Sequence, residues 1–153
     1  MSSRRATLLL ALTAAQLVGC FGPAPGQEPM RVGDLDAFAA DVEPHLEARC
    51  APGGCHGRPD RALTFYAPGA WRADAARTWL DEPLTRDELA ANAAHLCAFA
   101  LEGPTESSLA LCTPLALDQG GCGHGGGAVF ADRSDLAYRA IARWLDSRTA
   151  EAP

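Results

Sequence analysis

Cys50-Ala51-Pro52-Gly53-Gly54-Cys55-His56 decides how the rest of this chain is read: two thiols with four residues between them, and an imidazole directly after the second. Pro52-Gly53-Gly54 is turn-forming sequence that can loop outward and leave both sulfurs and the ring on one short arc of chain. Six cysteines in 153 residues is a high count, which points to an oxidising compartment or to a cofactor. The length is that of one domain, and 48% hydrophobic with 21% charged residues excludes a disordered chain and a multi-span membrane protein. All 13 basic residues are arginine, no basic tract occurs, and the net charge is −6. That balance argues against a nucleic-acid partner, which needs a clustered positive face.

Working outward, Leu35, Phe38, Ala39 and Val42 recur at helical spacing, and Pro44 reads as a break or as the first residue of a new turn. Leu46 and Cys50 then sit four apart on a short helix leading into the motif. Downstream, Thr85-Arg86-Asp87-Glu88 is a capping box. It opens a helix whose stripe is Leu89, Ala93, Leu96 and Ala100, and Gly103-Pro104 is its expected stop. A last helix is expected from Ser134 or Asp135, with Leu136, Ala140, Ile141, Trp144 and Leu145 on one face. Leu63-Thr64-Phe65-Tyr66 has the composition of a short strand, but no other segment offers a partner. The pattern predicts a small all-α domain with long loops over residues 34–149, enough for one core and not for two.

Two thiols followed at once by a histidine suit the covalent attachment of one haem c. Each cysteine forms a thioether with a vinyl group, and the adjacent His56 is held beneath the iron as an axial ligand. Two residues between the cysteines are usual, so the four here require Pro52-Gly53-Gly54 to bulge if Cys50 and Cys55 are to reach one macrocycle. The rival reading is a haem-free envelope lipoprotein in which Cys50 and Cys55 form a disulfide, serving a binding or structural role. Its variant is a zinc site drawn from Cys50, Cys55, His56, Cys122 and His124, although structural zinc sites of that type are mostly intracellular. His124-Gly125-Gly126-Gly127 looks like an esterase oxyanion loop in its string alone. No Gly-x-Ser-x-Gly elbow accompanies it, and the chain is too short for a hydrolase sheet.

Phe38…Asp41-Val42-Glu43-Pro44…Leu46…Cys50…Cys55-His56-Gly57 resembles the opening of class I-like c-type cytochrome domains of bacterial envelope lipoproteins. Ser108-Leu109…Leu111…Pro114-Leu115…Gly121…His124-Gly125-Gly126-Gly127…Phe130…Tyr138…Ile141…Trp144-Leu145 resembles their second half, with Trp71 to Leu101 less constrained. The resemblance implies a cytochrome c-like fold in which the first and last helices cross at the haem edge, with Phe38 and Trp144 or Tyr138 as packing residues. It implies an electron carrier rather than an enzyme, working with redox partner proteins of the cell envelope. It also implies a distal axial ligand from the loop before the last helix. Met1 and Met30 lie far from that loop, so His45, His95 and His124 are the candidates. His45 lies on the helix that carries Cys50, and His95 lies within an amphipathic helix. His124, in a glycine-rich loop that allows close approach to a flat cofactor, is the expected second iron ligand.

Cys112 and Cys122 bracket the approach to His124, and a bridge between them would stiffen that segment by roughly 2–3 kcal/mol. Cys97–Cys112 and Cys97–Cys122 are the other pairings that the sequence allows, and otherwise Cys97 reads as a buried thiol.

The first residues carry their own address. Arg4 and Arg5 precede an apolar run from Ala6 to Val18, too short to span a bilayer comfortably, and the run ends in Leu17-Val18-Gly19-Cys20. This resembles the lipobox of bacterial lipoproteins. Residues 1–19 are then the signal peptide, Cys20 the lipidated N-terminus, and the Pro- and Gly-rich residues 20–33 a flexible tether. Phe21 rather than Asp after Cys20 resembles lipoproteins sorted to the outer membrane, so the domain is expected to be exported and lipid-anchored there, facing the periplasm or the cell surface. Arg4-Arg5 resembles part of a twin-arginine motif, but haem attachment outside the cytoplasm calls for an unfolded chain and favours the general export route. Cys20→Ala is expected to leave the precursor uncut or to release the protein from the membrane fraction. Protein that stays membrane-bound at unchanged size in fractionation and immunoblotting shows that Cys20 carries no lipid.

Overall fold

Pro44 has no N–H to give to the preceding turn, yet the chain stays helical through it. In the computed structural model, which describes residues 32–100 and 104–149, α1 (Val32–Ala37) passes into a π-helical turn (Phe38–Val42) and then into α2 (Glu43–Arg49). The wider turn absorbs the missing donor: the Glu43 N–H reaches five residues back, to the Phe38 carbonyl. The expected break is therefore a local widening of one helix. It keeps Leu35, Phe38, Val42 and Leu46 on the buried side.

The capping box at Thr85 is formed. The Glu88 N–H donates to Thr85 Oγ1 at 3.2 Å, and the Thr85 N–H donates to Glu88 Oε2 at 2.9 Å. It opens α3 (Arg86–Ala98), which stops short of the expected Gly103-Pro104. The Phe99 N–H folds back to the Leu96 carbonyl, and the Phe99 carbonyl accepts from the Ala110 N–H at 3.0 Å, so the chain turns away there. The buried face of α3 is also more polar than its apolar stripe suggested: Glu88, Asn92, Ala93 and Leu96 are buried, while Leu89 and Ala100 are half-buried.

After α4 (Leu109–Cys112), α5 (Leu136–Thr149) begins at Asp135, whose Oδ1 accepts from the Ala137 N–H at 2.9 Å. Leu136, expected on the buried face, is 74% exposed. The rest of the expected face holds, with Ala140, Ile141, Trp144 and Leu145 buried, and Ala137 and Tyr138 join it in place of Leu136. The π turn crosses α5, with the Phe38 and Trp144 rings 4.9 Å apart at the crossing. Among the described residues there is no strand. Leu63 to Tyr66 forms no strand, although the Phe65 N–H donates to the His56 carbonyl at 2.9 Å, and Leu115 and Phe130 make an isolated parallel bridge. The signal peptide, Cys20 and the tether as far as residue 31 lie outside the described residues. Among the described residues no helix is long and apolar enough to cross a membrane.

The long segment between the thiol motif and α3 is held by a buried ion pair. Arg72 Nε and Nη2 donate to the two Glu88 oxygens at 2.9 and 2.7 Å, and both residues are buried. The remaining guanidinium donors reach the Glu82 and Pro83 carbonyls at 2.9 and 3.0 Å, and Ala73 N–H also donates to Glu88. Arg72 holds the Glu88 carboxyl far below its usual range, so this stabilisation is present at neutral pH and drains away only as the pH falls towards that depressed value. Removing one partner strands a charge in the core. Arg72→Ala is expected to cost roughly 3–5 kcal/mol in urea denaturation, and Arg72→Met combined with Glu88→Leu to recover most of the loss. A single-variant loss below about 1 kcal/mol would show that the pair does not hold the segment.

Candidate functional site

Ala51 is fully buried at the end of α2 while Pro52, Gly54 and Cys55 face outward, so the spacer between the cysteines bulges to the surface after Ala51. Its ends stay pinned: the His56 N–H donates to the Cys50 carbonyl at 2.9 Å, and the Cys55 N–H to the Pro52 carbonyl at 2.7 Å. The chain passes so close to itself here that a Cβ on Gly57 would stand 1.9 Å from the Ala51 oxygen, which is why glycine follows the histidine. Trp79 covers the bulge, its ring lying where a Cβ on Gly53 would come within 3.3 Å.

Inside this arc is a cavity of about 580 Å³, well within the size range of small-molecule and cofactor sites. Its walls are apolar, from Leu46, Leu63, Phe65, Leu96, Phe99 and Ile141, and Cys50, Cys55, His56 and His124 all open onto it. His45 and His95 are not among its lining residues. His45 is half-buried on α2, and His95 Nδ1 is spent on the Thr64 carbonyl at 2.7 Å. The His56 and His124 rings stand 5.8 Å apart, centre to centre, with planes inclined by 30°.

Both rings are oriented from behind. His56 Nδ1 lies 2.8 Å from the Leu63 carbonyl, and His124 Nδ1 lies 2.9 Å from the Gly127 carbonyl. A carbonyl can only accept, so each Nδ1 carries a proton, and in the neutral ring it is Nε2 that offers the lone pair. Metal-ligating histidines are commonly fixed in this way. The turn that brings the Gly127 carbonyl to His124 needs φ of +83° at Gly127, a left-handed conformation suited to glycine.

The residues present fit a haem on these observations. Two metal–imidazole bonds of about 2 Å each put the ligating nitrogens about 4 Å apart and the ring centres somewhat farther, which matches the spacing of the pair. Cys50 and Cys55 are thiols, and the disulfide between them that the sequence left open is not formed. Burial pushes the Cys50 thiol up to about 11, so it stays protonated. Cys112 and Cys122 are joined, with Cα atoms 5.2 Å apart, and Cys97 is half-buried against the core outside that bridge. No group of three or more His, Cys, Asp or Glu among the described residues is placed to hold a metal ion.

Several supporting residues were not legible in the sequence. Arg49 Nη1 donates to Asp135 Oδ1 at 2.6 Å, its Nη2 donates to the Val129 carbonyl, and its guanidinium lies 5.3 Å from the Phe130 ring centre. It thereby ties the residue before Cys50 to the segment after His124. Asn92 clamps Tyr66, accepting from its N–H at 2.8 Å and donating to its carbonyl at 2.9 Å. The available signal was Glu88, Asn92 and Leu96 at four-residue spacing, which sets two polar groups on the buried face of one helix. The chain matches no family model, no curated protein and no solved structure.

Asn92 also donates to both oxygens of buried Glu43, at 3.0 and 3.2 Å. Burial pushes the Glu43 carboxyl up from 4.5 to about 8, against the opposing pull of Asn92. The unfolded chain releases this proton near 4.5 while the native one keeps it, so stability falls as pH rises between those values and levels off above. Glu43→Gln is expected to remove at least about 1.4 kcal/mol of that fall, measured by urea denaturation at pH values near the two ends of the interval. An unchanged pH profile would show that Glu43 is ionised in the native core.

Proposed function

We propose that this chain is a monohaem c-type cytochrome, an electron carrier tethered to the outer membrane through lipid on Cys20. The observation that carries the reading is the convergence of Cys50, Cys55, His56 and His124 on one apolar cavity, with both imidazoles held by backbone carbonyls in the tautomer that offers Nε2. In this reading a haem bound there supplies one-electron exchange at iron. Cys50 and Cys55 would hold it through thioether bonds, and His56 and His124 would be its iron ligands. Leu46, Phe65 and Leu96 exclude water from its face, and Leu63 and Gly127 hold the Nδ1 protons that set the ligand strength of the two rings. Two histidines place the potential below that of a histidine–methionine cytochrome, since methionine raises it. The net negative charge suits docking of basic redox partners of the envelope.

Expression with the cytochrome c maturation machinery is expected to give a covalent haem in denaturing gels and a c-type pyridine haemochrome spectrum. Cys50→Ala with Cys55→Ala is expected to abolish both signals, and His56→Ala to abolish normal maturation. His124→Ala is expected to keep the covalent haem and turn a low-spin spectrum into a high-spin or water-ligated one. Haem loading unaffected by the double cysteine variant would overturn the assignment. A His124→Ala spectrum identical to the wild type would remove His124 from the iron.

A further inference from the structure

The bridge next to His124 is open to attack on one side only. Cys112, at the end of α4, is 3% exposed, whereas Cys122 lies on the surface. A second cavity, of about 230 Å³, reaches both of these cysteines from outside and is rimmed by Arg133 and Glu106. Arg133 Nη1 is paired with Glu106 Oε2 at this rim, so the mouth of the cavity beside the bridge is polar and carries no net charge from the pair. His124 lies only two residues beyond Cys122.

The segment carrying His124 has few other fastenings. The Cys122 N–H donates to the Cys112 carbonyl at 2.8 Å, and the Val129 N–H donates to the Pro114 carbonyl at 2.8 Å. Between those two points a backbone bond internal to the loop runs from the Gly127 N–H to the His124 carbonyl at 2.9 Å. The bridge is thus the covalent fastening at the N-terminal end of the loop.

We infer that Cys112–Cys122 is a thiol-exchange site for a dithiol reductant, and that opening it releases His124 from its place facing His56. The first thiolate of the dithiol attacks the exposed Cys122 sulfur, forming a mixed disulfide and expelling Cys112 as a thiolate, which takes up a proton. The second thiol of the reductant, as its thiolate, attacks its own sulfur in that mixed disulfide and expels Cys122, which is protonated in turn. The reductant leaves as a cyclic disulfide, and the chain has gained two electrons and two protons. His124 then sits in a glycine-rich loop anchored covalently at neither end, and the site facing His56 becomes open to a small ligand. The exchange site stands on the chain alone, whereas its effect on ligation rests on the haem reading of the preceding subsection.

The test uses the mature protein. It is treated with dithiothreitol under native conditions, alkylated with iodoacetamide and mapped by mass spectrometry. In parallel, carbon monoxide binding to the ascorbate-reduced protein is timed before and after dithiothreitol treatment. Native alkylation of both Cys112 and Cys122 is expected, together with carbon monoxide binding faster by about tenfold or more, since the competing internal ligand is no longer held in place. Cys122→Ser is expected to show the fast binding without any dithiol, at unchanged far-ultraviolet circular dichroism. A bridge that resists dithiothreitol until the protein is unfolded would overturn the exchange site. A bridge that opens without changing carbon monoxide binding would overturn its link to His124. Absence of covalent haem would instead defeat the cytochrome reading, and the alkylation map would still decide the exchange site.

Discussion

Everything on the His56 side of the cavity hangs from the Arg72–Glu88 pair. Both charges are buried, the guanidinium makes four hydrogen bonds and both carboxylate oxygens accept, which is the condition under which such a pair is tolerated in a core. Glu88 is at once the partner of Arg72 and the last residue of the α3 capping box, so one carboxylate fixes both the start of the helix and the loop packed on it. Once α3 is placed, Asn92 and His95 one and two turns along it grip the backbone of Tyr66 and Thr64. The extended segment needs no strand partner, because side chains of α3 satisfy it. The carbonyl that orients His56 belongs to Leu63, the residue immediately before that grip.

The His124 side is built differently. Its loop has no helix behind it and relies on links at its edges: the bridge to α4, the Val129–Pro114 backbone bond, and Arg49 reaching from the end of α2 to Val129 and Asp135. Arg49 precedes Cys50, so the same residue that ends the helix before the thiol motif also closes the opposite wall. The two imidazoles face each other because two unrelated loops are each tied back to α2, the first by the Cys50–His56 backbone bond and the second through Arg49.

The thiol motif, the capping box and the helical character were legible because each is local: their spacing in sequence is their spacing in space. Cys112 pairing with Cys122 was among the pairings left open. What the sequence hid was non-local or depended on rotation about a helix axis. Leu136 was placed inward by its hydrophobicity, yet the first turn of α5 is set by Asp135, and that cap rotates Leu136 to solvent. Glu88 was read only as part of the capping box, and Asn92 was assigned no role. Their burial follows from partners 16 and 26 positions away in the chain, at Arg72 and Tyr66, which no periodicity encodes. Pro44 read as a break or as the first residue of a new turn; the second holds, since Pro44 stands in the first turn of α2, and the π turn before it keeps the chain helical.

The division of labour follows from these constraints. The helices supply apolar walls and the crossing of Phe38 with Trp144, but neither imidazole facing the cavity comes from a helix. His56 and His124 stand on loops, where backbone carbonyls are not consumed by a helical ladder and remain free to accept from Nδ1. A helical histidine such as His95 reaches outward to another segment instead, and its Nδ1 is spent on holding that segment in place. Loop placement therefore makes two rings with the same Nδ1 fastening possible in so small a chain. Its cost is that each loop needs a clamp of its own. The first clamp, an ion pair, is sealed in the core, and the second, a disulfide, has one sulfur at the surface. Chemistry from outside can reach only the second, so the two sides of the cavity differ in how readily they yield even though the rings they present are alike.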